Sequence, residues 1–206
     1  YTVEAEKGPR IKVHGHNVSG WFARSDAVLL EDAVDYFTDR IHDNPKDDYA
    51  YGTRGSAREE KGEYDSALTD YDEAIRLNSK CAQWRMERGL VWYDKNEYDK
   101  ALADYDEAIR LDPKDARAFD NRGLVWYAKQ DYDKAIADYG AALKIEPNYA
   151  IAYNDRGNSW YAKQDYEKAI ADCGVAIRLD PKDAEAFYTS TVSLLSERKP
   201  FATFSF

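Results

Sequence analysis

The stretch Ala116–Tyr149, ARAFDNRGLVWYAKQDYDKAIADYGAALKIEPNY, runs directly into Ala150–Asp183, AIAYNDRGNSWYAKQDYEKAIADCGVAIRLDPKD. The two are identical at 19 of 34 aligned positions, so the chain repeats itself. The same spacing extends upstream over Ala82–Asp115 and Asp48–Cys81. Gly55, Gly89, Gly123 and Gly157 hold one position of the unit, and Ala67, Ala101, Ala135 and Ala169 another. Pro45, Pro113, Pro147 and Pro181 fall on the same grid, with Ser79 in the remaining slot. A fixed period of this length marks a supersecondary unit that buries its apolar face only by stacking on copies of itself.

Each unit reads as two short helices. The first is predicted to end at the Lys before Gly62, Asn96, Gln130 or Gln164, where Gly and Asn suit a left-handed helix end. An acidic residue follows (Glu63, Glu97, Asp131, Asp165), placed to cap the second helix or complement its dipole. The second helix carries Tyr, Ala and aliphatic residues at helical spacing and stops at Asp-Pro or its equivalent. The recurring Gly and Ala remove bulk where paired helices approach closely.

The 34-residue period, the aromatics Tyr51, Phe119 and Tyr153, the Gly, the tryptophans Trp92, Trp126 and Trp160, the two Ala positions and the Pro resemble the tetratricopeptide repeat of bacterial type. The resemblance covers residues 48–183. It implies an all-α, right-handed solenoid of helix-turn-helix units, 48–81, 82–115, 116–149 and 150–183, whose first helices line a concave groove that binds peptides or partner proteins. The chain departs from the family where Arg54, Arg88, Arg122 and Arg156 stand at a position usually held by a large aliphatic residue. In the first unit Arg58 also replaces the tryptophan, which points to looser packing there.

The flanks differ. Residues 29–47 read as an N-terminal capping half-repeat, with Ala33, Phe37 and Pro45 on the grid. Residues 184–206 read as a closing helix and a tail containing Phe201, Phe204 and Phe206. Residues 1–28 alternate apolar runs with Gly8-Pro9, Gly15 and Gly20, which predicts two or three short β-strands. The run Val18–Val28 resembles the closing strands of bacterial Src-homology-3-like domains, of which these residues would be the C-terminal remnant. The single methionine is Met86, so the chain reads as part of a longer product.

Composition narrows the function. The balance of 29 Lys and Arg against 39 Asp and Glu argues against a nucleic-acid partner, because such binders concentrate Lys and Arg on one face. At 44% apolar and 14% aromatic residues it has the material for a core. No apolar run approaches the ~18 residues that cross a bilayer, so no membrane insertion is expected. The protein is expected to be soluble, either cytoplasmic or exported after loss of a signal. Cys81 and Cys173 form no disulfide framework and, in a stacked array, would lie far apart.

Chemistry-bearing residues are few. His14, His16 and His42 have no ligand cluster beside them, and no phosphate-binding loop, dinucleotide fingerprint or nucleophile elbow occurs. No catalytic residue, cofactor or metal is expected. Arg54, Arg88, Arg122 and Arg156 each precede an aspartate by sixteen residues (Asp70, Asp104, Asp138, Asp172), a spacing that returns the chain alongside itself across a helical hairpin. Four structural ion pairs are predicted.

Carried over from the resemblance, the concave positions are Tyr49, Gly52, Thr53, Ser56, Glu59 and Glu60 in the first unit, then Gln83, Met86, Glu87, Leu90, Tyr93 and Asp94. The third unit gives Arg117, Asp120, Asn121, Leu124, Tyr127 and Ala128, and the fourth Ile151, Asn154, Asp155, Asn158, Tyr161 and Ala162. Tyr93, Tyr127 and Tyr161 then form a ladder, and Asn121, Asn154 and Asn158 offer donors and acceptors to an extended backbone. Six acids against one base make the groove acidic, which favours a basic or neutral segment as partner. Two alternatives stand beside this non-enzymatic interaction module. One is a structural protein that self-associates through its end surfaces or the Phe-rich tail. The other is a scaffold portion of a larger enzyme.

Overall fold

The computed structural model describes residues 2–7, 10–15, 18–23 and 30–181. The expected closing helix, the Phe-rich tail and residues 24–28 of the Src-homology-3-like run lie outside them. The chain divides into two compact units, Tyr1–Lys80 and Cys81–Phe206.

The first unit opens with three strands, β1 (Thr2–Lys7), β2 (Arg10–Gly15) and β3 (Val18–Ala23). They form an antiparallel meander in the order β1-β2-β3, with a register shift between Val3 and Ala5. Three helices follow: α1 (Leu30–Asp43), α2 (Asp48–Glu60) and α3 (Tyr64–Leu77). Ala33 and Phe37 of α1 form one apolar cluster with Ala50 and Ala57 of α2.

The second unit contains α4 (Ala82–Asp94), α5 (Tyr98–Leu111), α6 (Ala116–Ala128), α7 (Tyr132–Ile145), α8 (Ala150–Ala162) and α9 (Tyr166–Leu179). Each helix packs on its sequence neighbour, and in addition α4 meets α6 and α6 meets α8. The first helices of successive pairs therefore form one continuous wall. Small residues make this possible: Ala101, Ala108, Ala118, Ala135, Ala142 and Ala152 are fully buried between helices.

The turns inside each pair follow one design. Gly62, Asn96, Gln130 and Gln164 take φ of 76°, 59°, 61° and 64°, and the next amide donates back to the carbonyl of Arg58, Trp92, Trp126 or Trp160 at 2.8–2.9 Å. This is the left-handed helix end that satisfies otherwise orphaned carbonyls. The acids that follow divide by length. Asp131 and Asp165 accept from the amides of Lys134 and Lys168, whereas Glu63 and Glu97 make no side-chain cap. The extra methylene of Glu leaves it a charge at the positive end of the helix dipole.

Candidate functional site

The four Arg/Asp pairs close in the same way. In each, Nε and Nη2 of Arg54, Arg88, Arg122 or Arg156 donate to the two oxygens of Asp70, Asp104, Asp138 or Asp172, at 2.5–2.9 Å. The geometry is bidentate, with the carboxylates buried, so the guanidinium groups are held within the helix pairs. Arg58 donates a third bond to Asp70 at 2.8 Å. The residue expected to loosen the first unit is thus drawn into its ion pair. Arg122 also reaches Asp106 on α5 at 2.6 Å, tying one pair to the next. Outside these pairs, Lys100, Lys134 and Lys168 sit over the rings of Trp92, Trp126 and Trp160 at 4.1–4.4 Å.

The wall of α4, α6 and α8 carries the other expected residues. Glu87, Leu90, Asn121, Leu124, Asn154, Asp155 and Asn158 are half-buried along it, with Asp94 exposed at one end. Tyr93, Tyr127 and Tyr161 each lean on a tyrosine at the start of the following helix, Tyr98, Tyr132 and Tyr166, with ring centroids 5.4–5.8 Å apart. The ladder is therefore double, with Tyr127 38% exposed at its centre.

Three expected groove residues are placed differently. Met86 is 4% exposed and packs with Leu102 and Tyr105, so it belongs to the core rather than the groove surface. Arg117 is the one base expected there, but its guanidinium is taken up by Asp115 at 2.7 and 3.0 Å. A carboxylate-binding clamp has no free cation at this position. Asp120 is buried, 2% exposed, where the family resemblance placed a groove-facing side chain.

Around Asp120 the sequence reading missed two partners. Tyr149, the residue that caps α8, donates its hydroxyl to Asp120 Oδ2 at 3.2 Å. Tyr139 of α7, 0% exposed, feels the charges of both Asp120 and Asp155, and burial holds its hydroxyl protonated. Burial raises Asp120 to about 7, and the charge of Asp155 adds to the rise while the Tyr149 bond opposes it. Asp155 is raised to about 6 by burial, offset in part by a bond from the Asn154 side chain. On α4, burial also raises Glu87, against the pull of Arg117 and a bond with Gln83. Three acids raised chiefly by burial thus stand on three neighbouring helices. Among the described residues no group of three or more His, Cys, Asp or Glu side chains is placed to hold a metal ion. No described helix is long and apolar enough to cross a membrane.

Comparison with known proteins bears on the same residues. The tetratricopeptide repeat family matches residues 53–116 and 150–183, and a further model described as TPR repeat matches 123–162. No curated protein matches the chain. Among solved structures, MamA from Desulfovibrio magneticus RS-1 is 22% identical with a TM-score of 0.67, over 74% of this chain and 86% of that one. TTC0263, a thermophilic TPR protein of Thermus thermophilus, is 20% identical with a TM-score of 0.68, over 81% and 91%. The first TPR of Spaghetti (RPAP3), bound to the HSP90 peptide SRMEEVD, is 23% identical with a TM-score of 0.53, over 56% and 90%. These likenesses carry the fold, which serves generally as a scaffold for protein–protein interaction. With matched segments running from residue 53 to 183 and the same helix-pair geometry in each repeat, the chain belongs to the tetratricopeptide repeat family.

Proposed function

We propose that the wall formed by α4, α6 and α8 binds an extended basic or neutral segment of a partner protein, without catalysis. The observation that carries this reading is the pairing of acid with aromatic surface. Glu87, Asp120 and Asp155 are raised by burial, and Asp155 lies within the field of Tyr93 and Tyr127, whose faces can hold a cation. The peptide SRMEEVD held by the RPAP3 domain carries three acids and one arginine. Here the corresponding chemistry is reversed, because Arg117 is neutralised by Asp115 and the remaining charge is negative. Asn121 and Asn158 lie along the same wall and supply side-chain amides for a peptide backbone.

The test is calorimetric titration of the full chain with Lys/Arg-rich and Asp/Glu-rich peptides at two ionic strengths. Binding of the basic peptides that weakens with salt is the expected result. Preference for the acidic peptides, or binding indifferent to salt, overturns it.

A further inference from the structure

Resting on the groove reading above, we propose that Asp120, Asp155, Asn154 and Tyr139 form a pocket for one lysine side chain of the bound segment. The starting point is an imbalance of partners. Of the buried aspartates of the repeats, Asp70, Asp104, Asp138 and Asp172 each hold an arginine. Asp120 and Asp155 hold none, and among the described residues neither has a Lys or Arg nitrogen at ion-pair distance. A buried carboxylate without a cation is costly, and such a group keeps its proton until a cation pairs it.

The acceptors around them are also unused. Asp120 Oδ1, Asn154 Oδ1 and the Tyr139 hydroxyl are buried and have no hydrogen-bond partner. Asp120 and Tyr139 are 2% and 0% exposed, and the Tyr139 hydroxyl lies within the field of both aspartates. Asn154 is half-buried next to Asp155 in sequence, and its carbonyl oxygen is without a partner.

The number and kind of acceptors select the ligand group. Three single oxygens on three residues match the three N–H bonds of an ammonium. A guanidinium is best met by both oxygens of one carboxylate, and Asp120 Oδ2 is already taken by Tyr149. Among the described residues no third His, Cys, Asp or Glu joins the two carboxylates in a group that could hold a metal ion. Tyr93 and the exposed ring of Tyr127 both lie within the field of Asp155 and offer apolar faces for the four-carbon stem of lysine.

The experiment uses the full chain and three degenerate nine-residue peptide mixtures with a fixed central residue, lysine, arginine or norleucine, read by fluorescence anisotropy. The lysine mixture is expected to bind about tenfold tighter than the norleucine mixture, with arginine between them. Because an arriving ammonium ionises both aspartates, the lysine mixture should also release protons at pH 6.5, seen as a buffer-dependent heat. The double variant Asp120→Asn/Asp155→Asn should lose both the preference for the lysine mixture over the norleucine mixture and the proton release. If that variant does not give a cooperative thermal melt, Asp155→Asn alone takes its place. Equal binding of the lysine and norleucine mixtures by the unaltered chain overturns the pocket and leaves the groove reading standing. Binding of no mixture overturns both.

Discussion

A Cβ placed on Gly123 would stand 2.7 Å from Cε1 of Tyr139, closer than non-bonded carbons pack. Tyr139 cannot give way, because its ring is fully buried and α7 is pinned to α6 by Arg122 and Asp138. An exposed helical glycine normally gains about 0.5–1 kcal/mol on replacement by alanine. Here overpacking reverses the sign. Gly123→Ala should lose about 1–3 kcal/mol in urea unfolding.

The ion pairs give a second expectation. Arg122 and Asp138 are 22% and 9% exposed at their side chains and share two hydrogen bonds. Asp138→Ala strands the guanidinium with Asp106 alone and should cost about 1–3 kcal/mol. Replacing both partners, as Arg122→Met with Asp138→Leu, should recover part of that loss in the same measurement. A double variant as unstable as the single one would mean that the repeats depend on the pair itself, not only on avoiding an orphaned charge.

The helix ends offer a gain. Gln130 and Gln164 sit at φ of 61° and 64°, where the first repeat has Gly62. A β-carbon in that region is strained. Gln130→Gly should therefore stabilise by about 0.5–1 kcal/mol, visible as a higher thermal midpoint, if the strain exceeds the unfolded-state entropy that glycine adds.

Much of this was legible beforehand because the repeat averages out local ambiguity. The Gly on the first helix recurs with a Tyr on the second in three units and with Cys173 in the fourth. Each Arg recurs with its Asp in all four, so spacing alone predicts that Arg and Asp meet. The acid cluster was not legible, since it breaks the period. Asp120 stands where the other units have Gly52, Met86 and Asn154, and Tyr149 where they have Cys81, Asp115 and Asp183. Family position assigned Asp120 to the groove surface, but burial depends on what neighbouring helices place above it. Arg117 failed for a related reason: its partner Asp115 lies two residues away on the same turn, and a groove list does not weigh local competitors.

The cluster also makes stability depend on pH. Asp120 keeps its proton to about 7 in the folded state, whereas an unfolded aspartate releases it near ~4. Between those values the native chain binds more protons than the unfolded one, so stability falls as pH rises. Asp155, raised to about 6 and facing Asp120 and Asn154, acts in the same direction. The surface acids whose pKa values are lowered by Lys or Arg partners, such as Asp131 and Asp165, are ionised in both states above pH 5 and do not obscure the effect. Urea unfolding should thus show lower stability at pH 8 than at pH 5. Asp120→Asn should flatten that slope and gain about 1–3 kcal/mol at pH 8.

Tyr127 is the place where binding and folding separate most cleanly. Its ring is 38% exposed and rests on Tyr132 at 5.4 Å, outside the buried clusters that hold α6 to α5 and α7. Tyr127→Ala should therefore cost little stability, about 1 kcal/mol for one edge-on ring contact. Its effect on a basic segment should be larger, because the ring lies between Tyr93 and Tyr161 on the wall and beside the field of Asp155. Loss of one aromatic face for a cation or an apolar stem should weaken binding by about threefold to thirtyfold. Asp94, exposed at the end of α4, supplies only a screened charge, and Asp94→Asn should change affinity less than about twofold at physiological salt. Titrating both variants with the same lysine-rich peptide decides the matter. If Asp94→Asn weakens binding more than Tyr127→Ala, the segment is held by long-range charge and not by the tyrosine wall.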